Sequence, residues 1–148
     1  MFSLFKSQPF HDAQLGAFVR SRGLWRGTLS LDAPYPTPLA LAGDRSRPDP
    51  QALTLARELP ATVRLLRPAI EQALFEHYEP YGETAAAAIA SPAGIWPHVT
   101  LVYVSVTPLG GVLAAELGYR VTWDEEHTLG ARVRDGQLLE LCGSVLEP

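Results

Sequence analysis

From Val99 to Leu146 the chain alternates apolar and polar side chains, and this stretch restricts the fold more than any other. Successive side chains of a strand point to opposite faces, so a two-residue period marks a surface buried on one side. In Val112 to Trp123, Leu113, Ala115, Leu117, Tyr119, Val121 and Trp123 share one face. Glu116, Arg120 and Thr122 share the other. Val99 to Val106 is apolar on both sets apart from Thr100 and Ser105, as expected of a central strand covered on both faces. Pro108-Leu109-Gly110-Gly111 turns the chain, and Asp124 to His127 reads as a polar turn. Thr128 to Arg134 and Gln137 to Leu146 complete a four-strand meander.

The last hairpin admits two registers. A two-residue turn at Asp135-Gly136 sets Arg134 against Gln137 and Val133 against Leu138, but carries Glu140 into the stripe of Leu129, Ala131 and Val133. Burying an unpaired carboxylate is costly. A three-residue turn over Arg134 to Gly136 sets Ala131 against Leu139 and turns Glu140 outward, diagonal to Arg132. The second register is preferred on that ground.

The amino-terminal part predicts a hairpin of Leu15–Arg20 and Leu24–Leu31 around Ser21-Arg22-Gly23. Gly27 shares a face with Trp25, which points to a large side chain, an indole for instance, pressed on that backbone. His11-Asp12 reads as exposed. Asp32 to Pro48 is a proline-rich loop with one extended piece near Leu39 to Ala42. Asp49-Pro50 is a helix start: the carboxylate can accept from first-turn amides, and proline suits the first helical position. Helices are expected near 50–59 and 61–79, the second kinked at Pro68. Ala85 to Ala90 is compatible with a helical turn or a strand fragment. The sum is a single α+β domain over residues 1–148, a mostly antiparallel sheet of about six strands with the helices of residues 50–79 packed on one face.

Composition narrows the function. The net charge of −4 is uneven: residues 1–48 carry +3, residues 49–100 carry −3 and residues 101–148 carry −4. No broad basic stripe forms, which disfavours a nucleic-acid partner. No run of ~18 apolar residues suggests a membrane span. Met1 to Phe10 lacks the apolar core of a signal peptide, so a cytoplasmic setting is expected. Cys142 is the only cysteine, in a strand, and reads as a buried, inert thiol.

The densest polar run is Trp123-Asp124-Glu125-Glu126-His127, and His98 begins another strand. As a recognition surface it is joined by Trp96, whose indole sits at a loop end; the binding candidates are Trp96, Trp123, Asp124, Glu125, Glu126 and His127. As chemistry, His98, His127 and Glu125, with Glu116 beside them, are the candidate catalytic groups, and the first three are an alternative metal set if the strand ends adjoin. No cofactor is indicated. Glu76-His77-Tyr78-Glu79 offers a second candidate, His77 as a buried histidine or as a relay with Glu76 or Glu79.

Gly118-Tyr119, Trp123-Asp124-Glu125-Glu126-His127-Thr128-Leu129-Gly130 and Asp135-Gly136 resemble a family of uncharacterised bacterial domains with a W-D-x-E-H-x-L-G segment. Leu15-Gly16-Ala17-Phe18 and Trp25-Arg26-Gly27 are similar to the opening hairpin of that family. The resemblance implies the strand layout and a bacterial origin, and no activity. The leading expectation is therefore a non-enzymatic protein-binding domain, immunity-like or regulatory, with a basic protein partner. A small metal-dependent or His/Glu-based hydrolase is the alternative, and a structural or oligomer-forming subunit the third reading.

Overall fold

A computed structural model of the chain describes residues 7–31, 33–85 and 88–148. Met1 to Lys6 of the leader reading, Asp32 at the loop start and Ala86-Ala87 of the alanine run lie outside the described residues. Among the described residues eight strands form one sheet in chain order: β1 (Phe10–Asp12), β2 (Gly16–Ser21), β3 (Leu24–Leu29), β4 (Thr37–Leu41), β5 (Val99–Leu109), β6 (Val112–Val121), β7 (Asp124–Arg134) and β8 (Gln137–Val145). The sheet has eight strands, against the expected six or so. The additions are β1, too short to show a period, and β4, the extended piece of the proline-rich loop. Every neighbouring pair is antiparallel except β4 and β5, which run parallel. A parallel pair needs a long crossover, and helix α1 (Pro50–Tyr78) provides it.

Where two helices were expected, α1 is continuous through Pro60 and Pro68. Each proline removes a helical donor and crowds the preceding turn, at about 3 kcal/mol. Pro68 stands on the exposed side of the helix. Burial of Ala52, Leu53, Ala56 and Leu59 on one side, and of Ile70, Leu74 and Tyr78 on the other, offsets the cost. Asp49 caps the start as expected, accepting from the Gln51 amide at 2.8 Å.

The core lies between α1 and one face of the sheet, on the stripe Ala115, Leu117, Tyr119, Val121, Leu129, Ala131 and Val133. The ring pressing on Gly27 is that of Phe18, 2.9 Å from where a Cβ would stand, and not an indole. Arg22 and Gly23 both have positive φ, the mirror-type turn that matches strand twist. Asp12 is buried rather than exposed: it accepts from the Gln14 and Leu15 amides and from Arg57 of α1. Its carboxyl is lowered to about 2, chiefly by the Arg57 hydrogen bond.

In the last hairpin Asp135 and Gly136 both adopt positive φ, and Arg134 pairs with Gln137. The turn has two residues, contrary to the preferred register. Glu140 nevertheless faces outward, because the ladder shifts between Arg132 and Val133 and Leu139 bulges out. Glu140 then pairs with Arg132, whose Nη1 donates to it at 2.8 Å.

The other face carries Tyr103, Glu116 and Arg132 and is crossed by the tail. Arg26 of β3 donates to the Pro148 carbonyl at 2.9 Å. In a flat sheet β3 and β8 would stand ~24 Å apart, whereas the three residues after Val145 reach only ~10 Å. The arginine side chain does not close that gap, so the sheet is strongly coiled.

Candidate functional site

Two side-chain groups meet where the end of α1 reaches the β6–β7 connection. The turn itself is Thr122-Trp123, and Asp124 already belongs to β7, so the Asp124–His127 segment is strand and not turn. Val121 pairs with Asp124, but Arg120 pairs with Thr128. Glu125, Glu126 and His127 are therefore left over by the ladder as a three-residue bulge, and all three are exposed.

Trp123 and Asp124 fix this bulge from beneath. Trp123 is 8% exposed, with its ring edge-on to Tyr78. Its indole N–H donates to His77 Nδ1 at 3.0 Å. An indole can only donate, so neutral His77 carries its proton on Nε2. Asp124 is likewise buried, and it accepts from the Glu126 amide at 3.3 Å and from His127 Nδ1 at 3.0 Å. Tyr81, just past α1, donates to Asp124 at 3.4 Å and stacks on His77. Burial works to raise the Asp124 carboxyl, but the His127 hydrogen bond, the positive charge of His127 and the Glu126 amide outweigh it and hold it below the ordinary range.

His77 titrates below its ordinary value because burial disfavours the charged ring; Asp124 opposes this shift and His127 adds to it. The unfolded chain thus binds this proton more readily than the folded one. Stability present above the unfolded value near ~6.5 is lost as pH falls toward the depressed folded value. Protonation would also put a donor against the indole N–H. The unfolding midpoint is expected to fall between pH 7 and pH 5.5. His77→Asn, which keeps an acceptor and removes the titration, should flatten that part of the profile. An equal slope in the variant would assign the dependence to another group.

The candidates drawn from the sequence are only partly brought together. Trp123, Asp124 and His127 form one network, with Glu125 and Glu126 on its outer surface. His98 does not begin the strand but closes a 3-10 turn, Trp96–His98, just before β5, 3.3 Å from Thr122 Oγ1. Glu116 is on the opposite face of the sheet, bonded to Tyr103 and Arg132. His77 pairs with Trp123, not with Glu76 or Glu79, and Glu76 accepts from Gln72. Among the described residues no three His, Cys, Asp or Glu side chains are placed to hold a metal ion, which removes support from the set His98, Glu125 and His127. Asp124 orients the His127 ring, but no Ser, Thr or Cys is bonded to His127 among the described residues.

Trp96 belongs to a separate site. Its indole N–H donates to Glu71 at 2.6 Å, and the Arg67 guanidinium lies 4.2 Å above its ring. Arg67 and Trp96 line a cavity of about 260 Å³ between the middle of α1 and the start of β5, with Tyr119 also in its wall. Tyr119 is a residue that sequence reasoning placed only in the core stripe. A phenol in an otherwise aliphatic stripe was the available signal, since its hydroxyl has to meet something polar. The exposed large apolar residues, Val19, Tyr35, Leu65, Val112, Leu139 and Leu146, are spread over separate elements. Among the described residues no helix is long and apolar enough to cross a membrane.

No curated protein and no solved structure matches the chain. A family model does, over residues 36–145, a span that holds β4, α1, the Trp123–Gly130 run and the last hairpin. The chain therefore belongs to that family, a domain of unknown function (DUF6985).

Proposed function

We propose that the chain is a non-catalytic protein-binding domain, immunity-like or regulatory, whose acidic end receives a basic partner. A cytoplasmic setting in a bacterium belongs to this reading. One observation carries it. Residues 72–90 and 121–131 contain no lysine or arginine, and the two segments are joined through the Trp123–His77 and Tyr81–Asp124 hydrogen bonds. Glu76, Glu79, Glu83, Glu125 and Glu126 stand exposed on them. The carboxyl end of α1 adds its own partial negative charge at the same place. Such a field steers a cationic partner and rejects an acidic one. Because Trp123 and Asp124 hold the bulge from below, the charged groups are presented with little ordering cost.

The test is a titration of the isotope-labelled protein with a lysine-rich peptide, followed by amide chemical shifts at two salt concentrations. Shifts confined to residues 76–83 and 124–127, weakened by salt, are expected. They should vanish in the Glu125→Lys/Glu126→Lys variant. Shifts centred elsewhere, or equal binding by that variant, would overturn the reading.

A further inference from the structure

We infer that the cavity between α1 and the start of β5 is a binding site for a small monocarboxylate with an apolar body. It goes beyond the acidic end, and its success or failure leaves that proposal untouched. The cavity holds about 260 Å³. At ~30 Å³ per water in the liquid, that is the space of eight or nine waters, or of a ligand with about ten non-hydrogen atoms. Its walls are mostly apolar, with Leu31, Val63, Ile70, Val99 and Leu101 among them. Apolar walls with a few placed polar groups are the usual make-up of a small-ligand site.

Of the polar groups in its wall, Tyr119 and Arg67 define the ligand. Tyr119 is 4% exposed, and its hydroxyl has no hydrogen-bond partner among the described residues. Tyr119 lines the cavity, and a ligand oxygen there would supply the partner its hydroxyl lacks. Arg67 makes no ion pair among the described residues, and its guanidinium is held in place by the Trp96 ring. The two groups sense each other, since the positive charge of Arg67 works to lower the Tyr119 hydroxyl while burial raises it. A carboxylate can accept from the phenol with one oxygen and from the guanidinium with the other. Arg64 lines the cavity as well. Phosphate has no apolar body to cover the aliphatic walls. The apolar body of the ligand would fill the remainder against Ile70 and Leu101.

The experiment uses the full chain with sodium octanoate as probe, octanol as the uncharged control and inorganic phosphate as the bodiless anion. Binding is read by Trp96 indole shifts and by thermal stabilisation. Octanoate should move the Trp96 signal and raise the melting temperature, with octanol weaker by about tenfold or more, the worth of a charge-assisted bond. Phosphate should have no effect. Arg67→Met keeps the aliphatic stem over the indole and should weaken octanoate by a similar factor. Tyr119→Phe removes only an unpaired hydroxyl. Its melting temperature without ligand should match or exceed that of the parent, while octanoate binding falls several-fold. The proposal is overturned if octanoate leaves the Trp96 signal unmoved, or if octanol or the Arg67→Met variant binds as well as the parent pair.

Discussion

Replacing Trp123 by alanine is expected to destabilise the protein by about 3–5 kcal/mol, the range for removing a buried aromatic ring. The ring lies against Tyr78 and His77 and joins the β6–β7 turn to α1. Alanine would leave a cavity there and strip His77 Nδ1 of its donor. Trp123→Phe separates the two effects. It keeps most of the packing and loses the hydrogen bond, for an expected cost of about 1–2 kcal/mol. Denaturant midpoints of the three proteins measure both. A loss below ~1 kcal/mol for Trp123→Ala would show that the turn is not tied to α1 in solution. The same variant bears on the acidic end, since the Glu125–His127 bulge rests on this residue. Amide shifts of Glu125 to His127 should move toward random-coil values while the protein remains folded.

This corner shows what can be read from a sequence and what cannot. The alternation in Val112 to Trp123 placed Trp123 on the inward stripe, and the structure keeps it there. The same alternation did not reveal that three residues drop out of the β6–β7 ladder, because a bulge leaves composition unchanged and breaks the period within a polar run. Leu139 is the parallel case in the last hairpin. Both registers considered there assumed a regular ladder, and the protein avoids burying Glu140 by bulging one residue instead. Local signals with a stereochemical cause were legible: Asp49-Pro50 at the head of α1, and Gly23 at a turn that needs positive φ. Side chains whose environment comes from distant segments were not. Asp12 is buried because Arg57 reaches it from α1. The cavity walls bring together Arg67, Trp96 and Tyr119 from three elements. No spacing rule links such positions, so only the topology discloses them.

Gly118→Val should cost about 3 kcal/mol, at the upper end for overpacking a filled site. Gly118 of β6 lies directly across from Tyr103 of β5, and the Tyr103 ring covers it so closely that a Cβ would overlap the ring carbons. The ring cannot easily move aside. Tyr103 is 1% exposed, and its hydroxyl donates to Glu116, which Arg132 also holds. The burial and that hydrogen bond together raise the Tyr103 hydroxyl far above its ordinary value, so it stays protonated as the donor. A valine would therefore displace not one side chain but the whole Tyr103–Glu116–Arg132–Glu140 chain. This mechanism predicts strong non-additivity. Tyr103→Ala alone loses the ring and its bond, but in the double variant the valine methyls occupy space the ring has vacated. The double variant should be more stable than the sum of the single losses by about 1–3 kcal/mol, the usual coupling between touching residues. Denaturant titrations of the parent, both single variants and the double variant close the cycle. Additive losses would mean that Tyr103 does not lie on Gly118, and the register between β5 and β6 would have to be redrawn around the irregularity at Val102.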